Sequence, residues 1–202
     1  MSDNRAALTA GSTLALSSAK KTQWELGELR QLASGTLDAD GKLHATGVEQ
    51  SSWELSVRSV LRSGSFSTKS LRHTLTLIIG DFLQLSADGT VQGLEPLRPY
   101  PFVSQTPVQF SQPAEELLFL HLAVDPERVR GTVRIIELSK KREQHLFDGQ
   151  LGMLLQGQAV VMSETGETKL QLRDTVVGGD QAQVRLSGRG VLAVVSLDPV
   201  DA

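Results

Sequence analysis

The sequence predicts an all-β chain folded as two antiparallel jelly-roll or β-sandwich halves, and three observations carry that prediction. Apolar residues alternate over short runs, as in Trp53-Glu54-Leu55-Ser56-Val57-Arg58, where every second side chain faces one side of a strand. Asp40-Gly41, Asp88-Gly89, Asp148-Gly149 and Gly178-Gly179-Asp180 punctuate the runs with residues that tolerate a positive φ. A shift of 77 residues then lays Leu77-Ile78-Ile79-Gly80 on Leu154-Leu155-Gln156-Gly157, Leu85-Ser86 on Met162-Ser163, and Gly89 on Gly166. A strand, a glycine turn, a strand and a second glycine turn therefore recur. Two copies of one antiparallel unit, each closing its own sheets, limit the number of exposed edges.

The elements follow in chain order. Gln23 to Ala33 places Trp24, Leu26, Leu29 and Leu32 loosely on one side, but Gly27 costs a helix there about 1 kcal/mol, so strand or loop is expected. Residues 34–52 are polar and poor in large apolar side chains, which predicts a surface loop or mobile hairpin without a catalytic group. Trp53 to Arg58 is a half-buried strand by its alternation. Leu71 to Leu85 continues the period of two with a break at Gly80-Asp81, and Val184 to Val195 does so with breaks at Gly188 and Gly190. Between Pro96 and Pro113, five prolines interrupt pairing and predict an extended, edge-like connector. The halves are accordingly placed at 1–110 and 111–202.

Composition narrows the function. With Lys+Arg 20 against Asp+Glu 23, the net charge of -3 gives no general attraction to phosphate backbones or anionic membranes, so no nucleic-acid partner is expected. The absence of cysteine removes a disulfide framework, a thiolate zinc site and a cysteine nucleophile together. No apolar run approaches the ~20 residues that cross a bilayer, and the N-terminal residues are too polar for a signal peptide, so a soluble, cytoplasmic protein is expected.

Three motifs in order resemble a known family. Trp53-Glu54-Leu55-Ser56-Val57, Ser63-Gly64-Ser65-Phe66-Ser67 and Thr74-Leu75-Thr76-Leu77-Ile78-Ile79-Gly80 are similar to the W-x-hydrophobic-S-hydrophobic, D-G-P-F-S and R-x-L-x-L-L-x-G segments of the HutD/Ves family. Trp24 with Gly27 echoes its W-x-N-G-G-G segment, and Leu118-Phe119-Leu120-His121-Leu122 its D-F-N-L-M segment. The likeness is strongest over residues 53–89 and extends loosely to about 195. It implies a bicupin fold of the RmlC-like jelly-roll class, in agreement with the repeat, and an association with histidine utilisation or stress response. The chain also departs from the family. Leu26, Glu28 and Leu29 stand at three of the four Asn-Gly-Gly-Gly positions, Arg72-His73 replaces an Asp-Arg pair, and Leu120 replaces the Asn of D-F-N-L-M. A pocket formed from those lost polar groups presents different donors and acceptors here.

Candidate chemistry is sparse. The four histidines, His44, His73, His121 and His145, include no His-x-His pair; His73 and His121 can meet across strands near Glu115 or Glu116, but two ligands do not make a transition-metal site, so no metal and no cofactor is expected. Neither a G-x-S-x-G elbow nor a phosphate-cradling glycine loop occurs. Arg58, Arg62, Arg72, Arg128, Arg130 and Arg134 cluster near strand starts, and an arginine in a barrel mouth binds a small carboxylate through paired hydrogen bonds. The predicted ligand-lining residues are His73, with Arg72, Trp24, Tyr100 and His121. No catalytic residue is assigned. The function implied by the resemblance is non-enzymatic binding of a small anionic metabolite, with a regulatory role in amino-acid (histidine) catabolism or stress response. Its rivals are a metal-independent cupin isomerase or hydrolase using His73 or His121 as base, and a structural or interaction protein whose uncovered sheet face supports a homodimer.

Overall fold

The computed structural model of the chain describes residues 6–68, 70–111, 117–164, 166–180 and 183–200. Among them are nineteen strands and two single 3-10 turns, Leu16–Ser18 and Val48–Gln50, so the all-β expectation holds. No helix among the described residues is long and apolar enough to cross a membrane.

Three antiparallel sheets are formed. The first runs Ala6–Ala7, Leu43–Ala45, Gly27–Leu37, Trp53–Val60, Leu117–Val124, Arg72–Ile79 and Tyr100–Phe102, with Lys21–Trp24 hairpinned onto Gly27–Leu37. The second is Thr90–Leu94, Leu83–Ala87, Val108–Phe110 and Gly64–Phe66. The third runs Val129–Leu138, Val184–Pro199, Gln150–Ser163, Thr175–Val177 and Thr13–Leu14, with Gln144–Leu146 and Gly166–Leu170 attached at its side. Sheet membership crosses the 110/111 boundary expected from the sequence. Leu117–Val124 lies in the middle of the first sheet, between Trp53–Val60 and Arg72–Ile79, and Thr13–Leu14 pairs with Thr175–Val177 in the third.

The period of two explains the layering. Along Trp53–Val60, Trp53, Leu55 and Val57 pack with Leu120, Leu122, Leu151, Met153 and Ala193 in the core between the first and third sheets. Leu75 and Leu77 turn the other way and meet Leu83, Leu85, Val108 and Phe110 in the core between the first and second sheets. The strand over Trp53 to Arg58 is therefore not half-buried, as its polar alternate residues suggested. The second sheet closes over that polar face, and Ser56 is fully buried on it. Replacing Leu120, which is fully buried, with Ala is expected to cost about 2–5 kcal/mol in a denaturant melt.

Other expectations are refined in the same way. Residues 34–52 include the expected hairpin, Gly27–Leu37 paired with Leu43–Ala45, but it is built into the first sheet with Ser34 and Thr36 buried rather than at the surface. Small size, not solvation, selects these residues: a Cβ on Gly35 would come 1.9 Å from the His44 carbonyl oxygen and 3.1 Å from the Trp53 ring. The proline-rich connector gives Tyr100–Phe102 at the edge of the first sheet, as expected, but Val108–Phe110 is internal to the second. Pro113 lies outside the described residues.

The glycines of the internal repeat adopt matching backbone conformations. Gly80 and Gly157 have φ of +99° and +84°, and Gly89 and Gly166 have +78° and +115°. The first copy breaks into Arg72–Ile79 and Leu83–Ala87, which enter different sheets, whereas the second runs on as Gln150–Ser163 with a bulge between Leu154 and Gln156. At Gly157 the positive φ coincides with a close strand crossing, because a Cβ there would lie 2.1 Å from the Arg189 carbonyl oxygen. Gly157→Val is expected to destabilise the fold by more than about 3 kcal/mol, again read from denaturant melts.

Candidate small-ligand site

Strand register brings the site together on the face of the first sheet that turns toward the second. Glu54, Ser56 and Arg58 alternate with the core residues of Trp53–Val60. His121 stands opposite Ser56 on one side and Leu75 on the other, and His73 is opposite Ala123, so the two histidines sit diagonally on one face. They open onto a cavity of about 270 Å³ that is also lined by Glu54, Arg58, Phe66 and Thr68.

The histidines form a directed hydrogen-bonded chain. His73 Nε2 lies 2.9 Å from the Thr68 carbonyl oxygen, which only accepts, so this nitrogen carries the proton. In the neutral ring Nδ1 is then an acceptor, and it lies 2.8 Å from His121 Nε2, which must donate to it. His121 is left with Nδ1 as a bare lone pair, buried and without a partner among the described residues. Such an orphaned acceptor costs about 1–3 kcal/mol unless a donor reaches it.

Both rings are held neutral. His121 is 2% exposed, and burial pushes its basicity well below the ordinary histidine range, with the Arg58 charge and His73 adding to the effect. His73, 3% exposed, is lowered first by burial; the hydrogen bond to Thr68 opposes this and Arg58 adds to it. Arg58 is the cation of the cavity. Its Nη2 donates to Glu54 Oε1 at 3.3 Å and its Nε to Ser56 Oγ at 3.2 Å, while its guanidinium carbon lies 5.3 Å from the centre of the Trp24 ring. Burial lowers the Arg58 pKa and Glu54 opposes the shift, but a guanidinium remains charged throughout the working pH range. Its Nη1 makes no hydrogen bond to a described residue.

Of the residues predicted from sequence, His73 and His121 meet as hydrogen-bonded partners. Trp24 stands behind the cavity wall, donating from Nε1 to the Ser59 carbonyl at 2.9 Å and backing Arg58. Arg72 is exposed, because it alternates with His73 and points away from the cavity; the guanidinium at the mouth is Arg58 instead. Tyr100 pairs opposite Leu75, stacks on Phe102 and lines a separate surface depression with Pro99 and Arg98. Glu54 and Thr68 were missed. Glu54 was legible as the polar alternate of a strand whose other face is core, whereas Thr68 acts through a backbone carbonyl, for which side-chain patterns carry no signal. Among the described residues no group of three His, Cys, Asp or Glu is placed to hold a metal ion; Glu115 and Glu116 lie outside them.

The sequence pattern of the HutD family matches residues 16–194. The chain belongs to the HutD family. Its fold is similar to that of HutD from Pseudomonas fluorescens SBW25, with 23% identity, coverage of 95% of this chain and 100% of that one, and a TM-score of 0.73. It is also similar to the conserved protein of unknown function PA5104 from Pseudomonas aeruginosa PAO1, at 18% identity, with 94% of this chain and 100% of that one covered and a TM-score of 0.77. A cupin 2 conserved barrel domain protein from Leptotrichia buccalis matches over 88% of this chain and 92% of its own, at 6% identity and a TM-score of 0.58. This HutD-family chain thus has a cupin-type fold. Among curated proteins none matches it.

Proposed function

We propose that this HutD-family protein binds, without turning over, a small carboxylic acid that also carries an N–H or O–H donor, and that it serves a regulatory role in amino-acid catabolism. The observation that carries the proposal is that one cavity is lined by both Arg58 and His121, whose buried Nδ1 has no partner among the described residues. Arg58 Nη1 suits a carboxylate, and His121 Nδ1 suits a donor on the same molecule. Phe66 supplies apolar wall to the cavity. Histidine and its breakdown acids carry both groups.

Binding is favoured over catalysis by the histidine chain itself. A ring whose basicity is depressed by burial accepts a hydrogen bond but is a poor proton acceptor at neutral pH. The chain ends on the Thr68 carbonyl, and a carbonyl does not stabilise an imidazolium as the carboxylate of a catalytic triad does.

Isothermal titration calorimetry against histidine, urocanate, formiminoglutamate, formylglutamate and glutamate tests the proposal. One of these acids is expected to bind, and His121→Leu is expected to weaken it by roughly tenfold through loss of one hydrogen bond. No heat with any of them at millimolar concentration, or unchanged affinity in His121→Leu, would contradict it.

A further inference from the structure

We propose a second binding site in this protein, for a small oxyanion, where the turn Gln171–Asp174 of the third sheet closes against the first sheet. A cavity of about 350 Å³ lies there, on the opposite face of the first sheet from the histidines, and its lining includes Ser17, Glu28, Arg30, Ser59 and Arg173. Register places the groups. Arg30 is opposite Val57, whose other neighbour Leu120 belongs to the core, so the guanidinium caps the end of an apolar row. Ser59 is opposite Leu118 in the next row, and its Oγ accepts the Glu28 backbone N–H at 2.9 Å, leaving the hydroxyl proton to donate.

The charge balance of the cavity is positive. Its one carboxylate, Glu28, is paired with Lys21. Arg30 is aimed by carbonyls rather than neutralised: its Nη1 donates to Leu16 O at 3.2 Å and to Ala19 O at 3.4 Å. Arg173 makes no ion pair with a described residue. Two guanidinium forks and two hydroxyls line one cavity whose only carboxylate, Glu28, already has a cation, and they fit phosphoryl or carboxylate oxygens.

The backbone at Arg173 is a second, independent observation. It is the third residue of the turn and has φ +70°, a left-handed conformation for which glycine or asparagine is favoured. The turn is secured without the Arg173 side chain, through Arg173 N–H to Leu154 O at 2.7 Å, Leu154 N–H to Asp174 O at 3.1 Å, and Gln171 N–H to Asp174 Oδ2 at 3.0 Å. An arginine there strains the backbone, and its side chain makes no hydrogen bond or ion pair with a described residue in return, as expected of a residue kept for a ligand. Because Arg30 comes from the first sheet and Arg173 from a turn of the third, the oxyanion would tie the two sheets together.

The test compares melting temperatures in inorganic phosphate, in malonate and in chloride at matched ionic strength, with amide chemical shifts followed by nuclear magnetic resonance. Phosphate or malonate is expected to raise the melting temperature above chloride, the more effective of the two identifying a phosphoryl or a carboxylate oxyanion. The shifts should concentrate at Ser17, Arg30 and Arg173. Arg173→Gly is expected to raise the melting temperature of the ligand-free protein, by releasing the left-handed backbone, and to weaken the effective anion at least about tenfold. Arg173→Asn, which tolerates the same backbone, should lose the anion equally. The proposal fails if neither anion outperforms chloride, if Arg173→Gly responds as the natural sequence does, or if the shifts appear at Arg58 and His121. That last result would place the anion in the first cavity and leave the function proposed there standing.

Discussion

Between pH 7.5 and pH 5 the protein is expected to lose folding stability steeply, and the His73–His121 pair sets the slope. In the unfolded chain both side chains titrate near about 6.5. In the folded protein both are lowered, chiefly by burial and further by Arg58. Below about pH 6.5 the unfolded chain therefore takes up protons that the folded chain refuses, so stability is full above that pH and falls as the pH drops toward the folded values. Each ring that stays neutral contributes a slope approaching 1.4 kcal/mol per pH unit. The other shifted acids lie outside this window: Asp38, lowered chiefly by its hydrogen bond to His44, and Asp88, lowered chiefly by Thr106, lose their contribution only as the pH falls through the ordinary carboxylate range and below it. Guanidinium melts across the range measure the slope. Replacing both partners, in His73→Leu/His121→Leu, is expected to flatten it, whereas an unchanged slope would place the acid sensitivity elsewhere.

Arg58→Gln is expected to have the largest effect on ligand affinity, with roughly a hundredfold loss for a carboxylic acid as the charge-assisted contact from Nη1 disappears. Two further consequences follow from the same geometry. Glu54, whose side chain is only 19% exposed, loses its cation, so stability at pH 7 falls. Both histidines lose a charge that disfavours their protonated forms, so their folded pKa values rise toward the unfolded one and the acid-induced slope becomes shallower. The reverse change, Glu54→Gln, removes the competing carboxylate charge while Gln Oε1 still accepts from Arg58 Nη2, and is expected to tighten carboxylate binding several-fold. Calorimetry of the two variants, combined with their melts at pH 7.5 and pH 5, separates an arginine that binds ligand from one that only supports the strand. In the latter case stability would change while affinity did not.

Strand content, the glycine turns and the meeting of His73 with His121 were legible because each rests on a local signal: alternation, a positive-φ residue, or one histidine in each of two apolar strands. Sheet membership was not. Leu117–Val124 reads as one more apolar strand, and nothing local says that it inserts between Trp53–Val60 and Arg72–Ile79. That insertion is what places His121 beside His73. Alternation likewise shows that Glu54, Ser56 and Arg58 share a face but not whether the face meets water or a second sheet. An arginine beside a cavity and an arginine on the surface therefore look alike in sequence: Arg58 lines the cavity and Arg72 is exposed. The 34–52 stretch was legible as a hairpin but not as a buried one, since small polar residues suit both a solvated turn and a tight fit beneath Trp53.

The account rests on two neutral imidazoles whose protons are both on Nε2, leaving the buried His121 Nδ1 as the acceptor proposed to meet a ligand donor. A long-range proton–nitrogen correlation spectrum at pH 7 observes this directly, first on the protein alone and then with the acid that binds in calorimetry. Two neutral rings protonated at Nε2 are predicted, with the His121 Nδ1 resonance moving on addition of ligand while His73 Nε2 stays fixed against Thr68. A His121 ring protonated at Nδ1, an imidazolium at either position, or a His121 Nδ1 resonance indifferent to bound ligand would contradict it.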